Sequence, residues 1–441
     1  MNQVDLILTN AVVVTMNDAY QLFPDGGVAV KGDSIVSVGI SADVQASCSA
    51  PQVIDCGGRA LIPGLVNAHT HVPMALLRGM VDDERLDVWL MGYMMPVERE
   101  FVTPEFSRVG TRLACAEMIR GGTTTFADMY YYEDAVAETV AEAGLRAVCG
   151  QTVMKFPGPD ASSYEDSLAA ARDLIERWRG HPLIGPAVAP HAPSTGTAEI
   201  MRASAELAME FDVPVHIHLA ETDQEVEQWR QTYGLPIIPW VEKQGLFDAK
   251  VIAAHCVHVD LGEIRRLERK GVGIAHNPSS NMKLASGFAP VSAMVEAGAH
   301  VGLGTDGPAS NNDLDMFEEM RLATFMAKAV TSDPTVLPAR TTFAMATRWG
   351  AKALHVDAVT GSLEPGKRAD LVLVDIAKLH NLPQVVRDPD AIYSQLVYAG
   401  KASDVTDVMV NGTWLLREKV LQTIEEAPVL KAASNYARRI D

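Results

Sequence analysis

The chain has 441 residues, 48% of them apolar, and a formal charge of −19. That length suffices for one large domain with a smaller one beside it, and the negative charge speaks against nucleic acid or an anionic membrane as a partner. The five cysteines, Cys48, Cys56, Cys115, Cys149 and Cys256, form no close pairs, which argues against a disulfide framework or a cysteine-built zinc site and fits a reducing cytoplasm.

The sequence does not open on a basic start followed by a long apolar run, and no segment carries 18 uninterrupted apolar residues. Neither a secretory leader nor a membrane span is expected. Residues 1–59 read as short strands: Asp5–Leu8, Ala11–Thr15, Gly27–Val30 and Ser34–Val38, with Gly26-Gly27 and Lys31-Gly32-Asp33 as turns. From residue 60 strands alternate with helices. Ala60–Ile62 leads through a Pro-Gly step into Leu65-Val66 and on to His69-Thr70-His71, which reads as the first buried strand. An insertion follows to about residue 105, then a helix over Ser107–Arg120 ended by Gly121-Gly122.

Thr123–Asp128 reads as the second strand, Arg146–Gly150 starts the third, and Ile184–Ala189 is the fourth, ending at His191. Pro214–Leu219, Val251–His255, Val272–His276 and His300–Asp306 complete eight, with helices between them such as Ala135–Glu142, Tyr164–Trp178 and the one holding Glu225 and Trp229. Eight such units predict a (β/α)8 TIM-like barrel over 60–362, with a doubly wound open sheet as the alternative. Two further helices are expected at Asp313–Ala329 and Ala339–Leu354. Strand patterns return in Ala369–Val374 and Val405–Val410, with Asn411-Gly412 as a hairpin signal. Residues 1–59 and 363–425 are therefore expected to pair into a composite β-sandwich domain, and 426–441 to form a C-terminal helical tail.

Polar residues gather at the predicted C-terminal strand ends, where barrels carry their chemistry. His69 and His71, two apart on a strand, present both imidazoles to one side. Strand five adds His218, strand six His255 and strand eight Asp306. Three histidines and a carboxylate from separate strands make a ligand set for zinc or iron with room for a water. Any one of the five is equally a satisfied polar residue at a strand end; all five together point to one centre. Glu221 stands three residues past His218, where a carboxylate can pass protons from water to a substrate nitrogen. The same position also suits an acid at a helix N-terminus. His216 lies deeper on the same strand face and reads as core or support, and His258 and His276 as further support. His181, His300, His355 and His380 carry no pattern. Strand four ends in Ala189-Pro190-His191 with no lysine, so one metal is expected rather than a carbamate-bridged pair.

These motifs together resemble the amidohydrolase superfamily over nearly the whole chain. The residues that carry the resemblance are Pro63–His71, His216–Thr222, Ala254–His258, His276–Gly287, Gly304–Gly307 and Leu363–Leu371. Asp306-Gly-Pro-Ala-Ser-Asn-Asn-Asp-Leu-Asp-Met-Phe-Glu-Glu-Met is similar to the eighth-strand signature of the 5-methylthioadenosine/S-adenosylhomocysteine deaminases. The resemblance implies one Zn2+ per chain, or Fe2+ in its place, on His69, His71, His218 and Asp306. It implies Glu221 as proton shuttle, His255 as the residue that polarises or orients the attacking water, and Asp306 as the catalytic residue that holds this water with it, Glu221 and Asp306 both also binding substrate. It further implies Glu98 on the ribose hydroxyls, His191 on the substrate and Trp89 on the pocket wall. The family's arginine after strand three is missing; that stretch reads Cys149-Gly150-Gln151-Thr152.

The expected reaction is hydrolytic deamination of an adenine nucleoside: 5'-methylthioadenosine, adenosine or, less well, S-adenosylhomocysteine. A deaminase or hydrolase of guanine, a pterin or a triazine is the alternative, with an amidase or a non-catalytic metal-binding scaffold further off. The partner is a small-molecule nucleoside, with no nucleic acid and no membrane; a homo-oligomer and a monomer are both compatible with the sequence.

Overall fold

Leu65–Thr70 is buried at every residue and opens a ring of parallel strands. We number this strand β1. The others are β2 (Thr123–Tyr130), β3 (Arg146–Val153), β4 (Ile184–Pro190), β5 (Val215–Leu219), β6 (Val251–His255), β7 (Gly273–His276) and β8 (His300–Leu303). Each pairs in parallel with the next. At the seam the Asp306 amide donates to the His69 carbonyl (3.0 Å), and Asn67 Nδ2 donates to Thr305 Oγ1 (2.8 Å). This is the (β/α)8 arrangement expected from the alternating pattern. Strands covered on both faces are buried throughout, and β1, β2 and β3 are buried at every residue.

Helices fill the crossovers, and several start on a side-chain cap. Thr103, Ser163, Thr197, Thr222 and Asp260 each accept from a backbone amide in the first turn of the helix that follows. One glycine is dictated by the seam. A Cβ on Gly304 would lie 2.8 Å from the His69 amide nitrogen, so strands one and eight approach this closely only without a side chain there.

The computed structural model describes residues 1–384, 388 and 390–440. Residues 385–387, 389 and 441, which fall in the predicted closing β-region and helical tail, lie outside the described residues.

Both chain ends build a second, mixed sheet of nine strands. Its order runs Val420–Leu421, Thr413–Arg417, Val405–Val410, Leu371–Val374, Ala60–Pro63, Leu6–Val14, Leu22–Lys31, Ser34–Ile40, with Gln52–Asp55 also beside Leu6–Val14. The sheet curls back on itself, so that its edge strand Ser34–Ile40 meets the segment leading into Leu371–Val374: Ile35 N donates to Lys367 O and Ala369 N to Asp33 O, both at 2.8 Å. One sheet thereby encloses its own apolar core of Leu8, Val13, Val28, Leu61, Leu371 and Met409, as two faces of a sandwich would.

Two expectations need correcting. Ala60–Pro63 is not the start of the barrel. It pairs antiparallel with Leu371–Val374 and in parallel with Val12 and Val13, so the barrel begins at Leu65. Gly64 is the crossing point, where a Cβ would fall onto the Thr124 side chain. The predicted helix over Ala339–Leu354 is two, Ala339–Met345 and Arg348–Ala353. Between them Ala346 turns its carbonyl to the Val66 amide of β1 (2.8 Å), which ends the first helix. The helix Glu426–Ile440 packs Tyr436 edge-on against Phe106, with ring centroids 5.5 Å apart. Among the described residues no helix is long and apolar enough to cross a membrane.

Candidate functional site

His69, His71, His218 and Asp306 each offer a ligand atom, and these atoms all lie within 4.8 Å of one another at the C-terminal end of the barrel. His71 Nδ1 lies 2.6 Å from the Met129 carbonyl and His218 Nδ1 2.7 Å from the His191 carbonyl. A carbonyl only accepts, so both Nδ1 atoms carry the proton and both Nε2 lone pairs face inward, 3.3 Å apart. His69 Nδ1 is 2.8 Å from His216 Nε2, which gives His216 the supporting place expected of it.

The test of a metal here is His69 Nε2. It is buried without a hydrogen-bond partner and points at Asp306 Oδ1, 3.2 Å away. An unpartnered buried lone pair is costly, and three imidazole lone pairs around one carboxylate are satisfied together by a divalent cation. The residues fit zinc. The electrostatics agree. Burial would raise the Asp306 carboxyl, yet the His69 and His71 imidazoles beside it hold it well below its ordinary value. Burial drives His69 down to about 4, while at His71 the Asp306 carboxylate outweighs burial and lifts it to about 9. An ionised carboxylate buried among three imidazoles marks a point that calls for positive charge.

Beside this set stands Glu221, with Oε2 3.7 Å from His255 Nε2 and Oε1 accepting from Ser286 Oγ (3.1 Å). Burial raises its carboxyl, His255 opposes that and Asp306 adds to it. His258 Nε2 donates to the Ser286 carbonyl at 2.6 Å, so His258 supports Glu221 through one residue. His255 Nδ1 is held 2.8 Å from Asn281 Oδ1, which turns Nε2 toward Glu221 and Asp306 Oδ2 (3.9 Å). His276 is buried at the end of β7. Ala220, His255, Cys256 and Asp306 all have positive φ, between 47° and 73°. Such backbone is held only by its surroundings and clusters at working sites.

The insertion after β1 folds into Leu86–Val88, a π-helical turn Trp89–Met94 and Met95–Phe101. It brings Glu98 to 5% exposure, where the Tyr130 hydroxyl donates to Oε1 at 2.8 Å. Arg108 pairs with Glu138 and not with Glu98. Burial, opposed by Tyr130, raises Glu98 to about 7. Trp89 is buried in one apolar cluster with Met74, Tyr130, Leu284 and Ala309, drawn from the end of β2 and from the segments after β1, β7 and β8. His191 has its ring 4.7 Å from that of His218 and its Nδ1 2.9 Å from Thr195 Oγ1; burial, then the charge on His71, lowers it to about 3. Gln151 Nε2 donates to Asp160 Oδ2 (2.8 Å), so its amide is already engaged.

Sequence reasoning assigned no role to Tyr130, Ser280, Asn281, Ser286 or Ser310. Ser280 Oγ and Ser310 Oγ both donate to Asp306 Oδ2, at 2.6 and 3.1 Å. Ser280, Asn281 and Ser286 lie in the run His276–Gly287, and Ser310 lies four residues past Asp306. Closeness to ligands along the chain was the available signal.

Residues 60–415 match the amidohydrolase family. A 5-methylthioadenosine/S-adenosylhomocysteine deaminase of Syntrophobacter fumaroxidans is 42% identical over 439 residues, covering 100% of this chain and 99% of its own. The enzyme of that name from Moorella thermoacetica is 45% identical over 415 residues, 94% of this chain and 93% of its own. The solved structure of an adenosine deaminase from Xanthomonas campestris with bound zinc superposes with a TM-score of 0.96 at 41% identity, covering 100% of this chain and 99% of that one.

Proposed function

The chain belongs to the amidohydrolase family, on the branch of the 5-methylthioadenosine/S-adenosylhomocysteine deaminases, and from that premise we propose that it hydrolyses the amino group of an adenine nucleoside to give the inosine analogue and ammonia. Its substrates are 5'-methylthioadenosine and adenosine, with S-adenosylhomocysteine the poorer one. It is a metal-dependent aminohydrolase working in the cytoplasm, a setting that suits its five free, buried cysteines.

His69, His71, His218 and Asp306 hold one zinc, which as a Lewis acid brings the pKa of a water toward roughly 7 and so makes a nucleophile available at neutral pH. His255, fixed by Asn281, orients that water beneath C6 of the purine together with Asp306. Glu221 takes a proton from the water and delivers it to N1 while the oxygen bonds to C6. Its raised pKa lets it hold the proton between the two steps. The C6–N bond then breaks, and ammonia leaves with the remaining proton of the added water. Glu98 accepts from the ribose hydroxyls, His191 contacts the substrate and Trp89 forms part of the pocket wall.

The observation that carries this reading is Glu221: a largely covered carboxyl, 12% exposed, beside the ligand set but outside it, 3.7 Å from His255. Ammonia release from adenosine, 5'-methylthioadenosine, S-adenosylhomocysteine, guanine and a triazine tests it. Release from the first two is the expected outcome; release from guanine or the triazine alone would assign the site to another heterocycle.

A further inference from the structure

The three histidine ligands are fixed from behind by two carbonyls and by His216. Asp306 is held differently. A carboxylate turns broadly about its last bond, so something must keep Oδ1 toward His69 and His71. We infer that Ser280, Ser310 and Glu319 form a brace that locks the Asp306 carboxylate in its metal-facing orientation, with Glu319 a positioning residue that acts through the two serine hydroxyls. The inference rests on Asp306 being a metal ligand.

Oδ2 of Asp306 is engaged by both hydroxyls, at 2.6 and 3.1 Å, and the hydroxyls are 3.1 Å from each other. The Gly307 amide donates to Oδ1 at 2.7 Å. Ser280 is carried by the helix Pro278–Lys283 after β7, and Ser310 by the loop after β8. Nothing local obliges these two segments to keep their hydroxyls together.

Glu319 ties them. It sits in the first turn of the helix Met316–Thr331 with no exposed surface. Its Oε2 accepts from the Ser279 amide (3.1 Å) and its Oε1 from Asn311 Nδ2 (2.9 Å). Ser279 precedes Ser280, and Asn311 follows Ser310. One buried carboxyl thus grips the residue beside each serine. Asn311 Nδ2 also donates to the Thr305 carbonyl (2.9 Å), directly before Asp306 in the chain. Two acceptor oxygens for two donors is a requirement that glutamate meets and glutamine does not, since a glutamine amide would turn N–H groups toward one of the donors.

The test follows zinc from the loaded protein to a chromophoric chelator, alongside kcat and KM for adenosine. Loss of supporting hydrogen bonds at a metal site typically costs ~10–100-fold in affinity or activity. Ser280→Ala/Ser310→Ala is expected to release zinc at least ~10-fold faster and to lower kcat with KM little changed. Glu319→Gln should move both readouts in the same direction. Added to the serine double variant, it should change neither further, because the path it acts through is already gone. Zinc release at the wild-type rate from Glu319→Gln, or an effect that multiplies fully in the serine-free background, overturns the brace. Should Glu319→Gln fail to fold, Asn311→Ala removes one tether and carries the same two outcomes. Asp306→Ala separates the underlying reading: undiminished zinc binding there would mean that Asp306 is no ligand, whatever the serines do.

Discussion

Arg146 and Asp370 meet across the seam between barrel and flanking sheet through two hydrogen bonds, Nε to Oδ2 at 3.0 Å and Nη2 to Oδ1 at 3.2 Å. Their side chains are 7% and 0% exposed. Arg146 Nη1 also donates to the Pro182 carbonyl, and the Asn411 amide donates to Asp370 Oδ1, each at 2.7 Å. The pair joins the start of β3 to the residue before the strand Leu371–Val374. Removing one member of a buried pair strands the other and costs about 3–5 kcal/mol. Arg146→Ala should therefore unfold at markedly lower denaturant, while Arg146→Met/Asp370→Leu should regain much of the loss. Equal stability of Arg146→Ala and wild type would contradict this account.

The same pair bears on substrate choice. Arg146 is committed at the N-terminal end of β3, away from the strand ends that carry the site, so it is not available to a substrate carboxylate. Gln151, nearer the site end, gives its amide to Asp160, which also accepts from the Tyr132 amide at 2.7 Å. A buried carboxylate without a cation is costly. The kcat/KM for 5'-methylthioadenosine and adenosine should therefore exceed that for S-adenosylhomocysteine. The reverse order would show that a cation from elsewhere, such as a second copy of the chain, serves the carboxylate.

Metal content is a separate expectation. The ligand set holds three imidazoles and one carboxylate, and β4 ends without a lysine. Active protein should carry one divalent ion per chain by elemental analysis, and a chelator that strips it should abolish ammonia release until zinc is restored. Two tightly bound ions per active chain would defeat the one-metal reading.

Much of the centre was legible because its signals are local. Two-residue spacing on a strand brings the His69 and His71 rings to 4.8 Å, and strand ends in a barrel converge whatever the loops do. The brace around Asp306 was not legible, because it depends on which loops lie side by side, and no pattern along the chain states that Glu319 reaches both Ser279 and Asn311. Ala60–Pro63 was misplaced for a similar reason. A four-residue apolar run suits a buried strand in either sheet, and only its partners, Val12 and Leu371, decide between them. The burial of Glu98 has no local signal either, since it comes from the folding of the whole insertion over Tyr130.

Glu221 can be separated from the ligands by one substitution. Glu221→Gln keeps size and hydrogen-bonding reach but cannot carry the proton, so zinc should stay at wild-type occupancy while kcat falls by at least ~10²-fold, the usual scale of general acid–base catalysis. Near-normal turnover would remove Glu221 from the mechanism. Simultaneous loss of zinc would make it a ligand instead.

Glu98 decides whether the enzyme reads a ribose at all. An ionised carboxylate can accept from both hydroxyls of a cis diol, and a site built to bond a hydroxyl rejects an analogue lacking it by up to ~10⁴-fold. Wild type should thus prefer adenosine strongly over 2',3'-dideoxyadenosine, and Glu98→Ala should erase most of that preference with zinc in place. The pH dependence follows from the same carboxyl. Burial raises it from 4.5 to about 7, against the pull of the Tyr130 hydroxyl, so the free protein favours its protonated form. That contribution to folding is complete below about 4.5 and is lost as pH rises through about 7. Diol binding wants the ionised form, which the same rise supplies. KM for adenosine should accordingly fall from about pH 6 to about pH 8 in wild type, across the shifted titration, and be flat over that range in Glu98→Gln. A wild type that handles both nucleosides alike, with a KM indifferent to pH, would take Glu98 off the ribose and make a free heterocycle the better substrate.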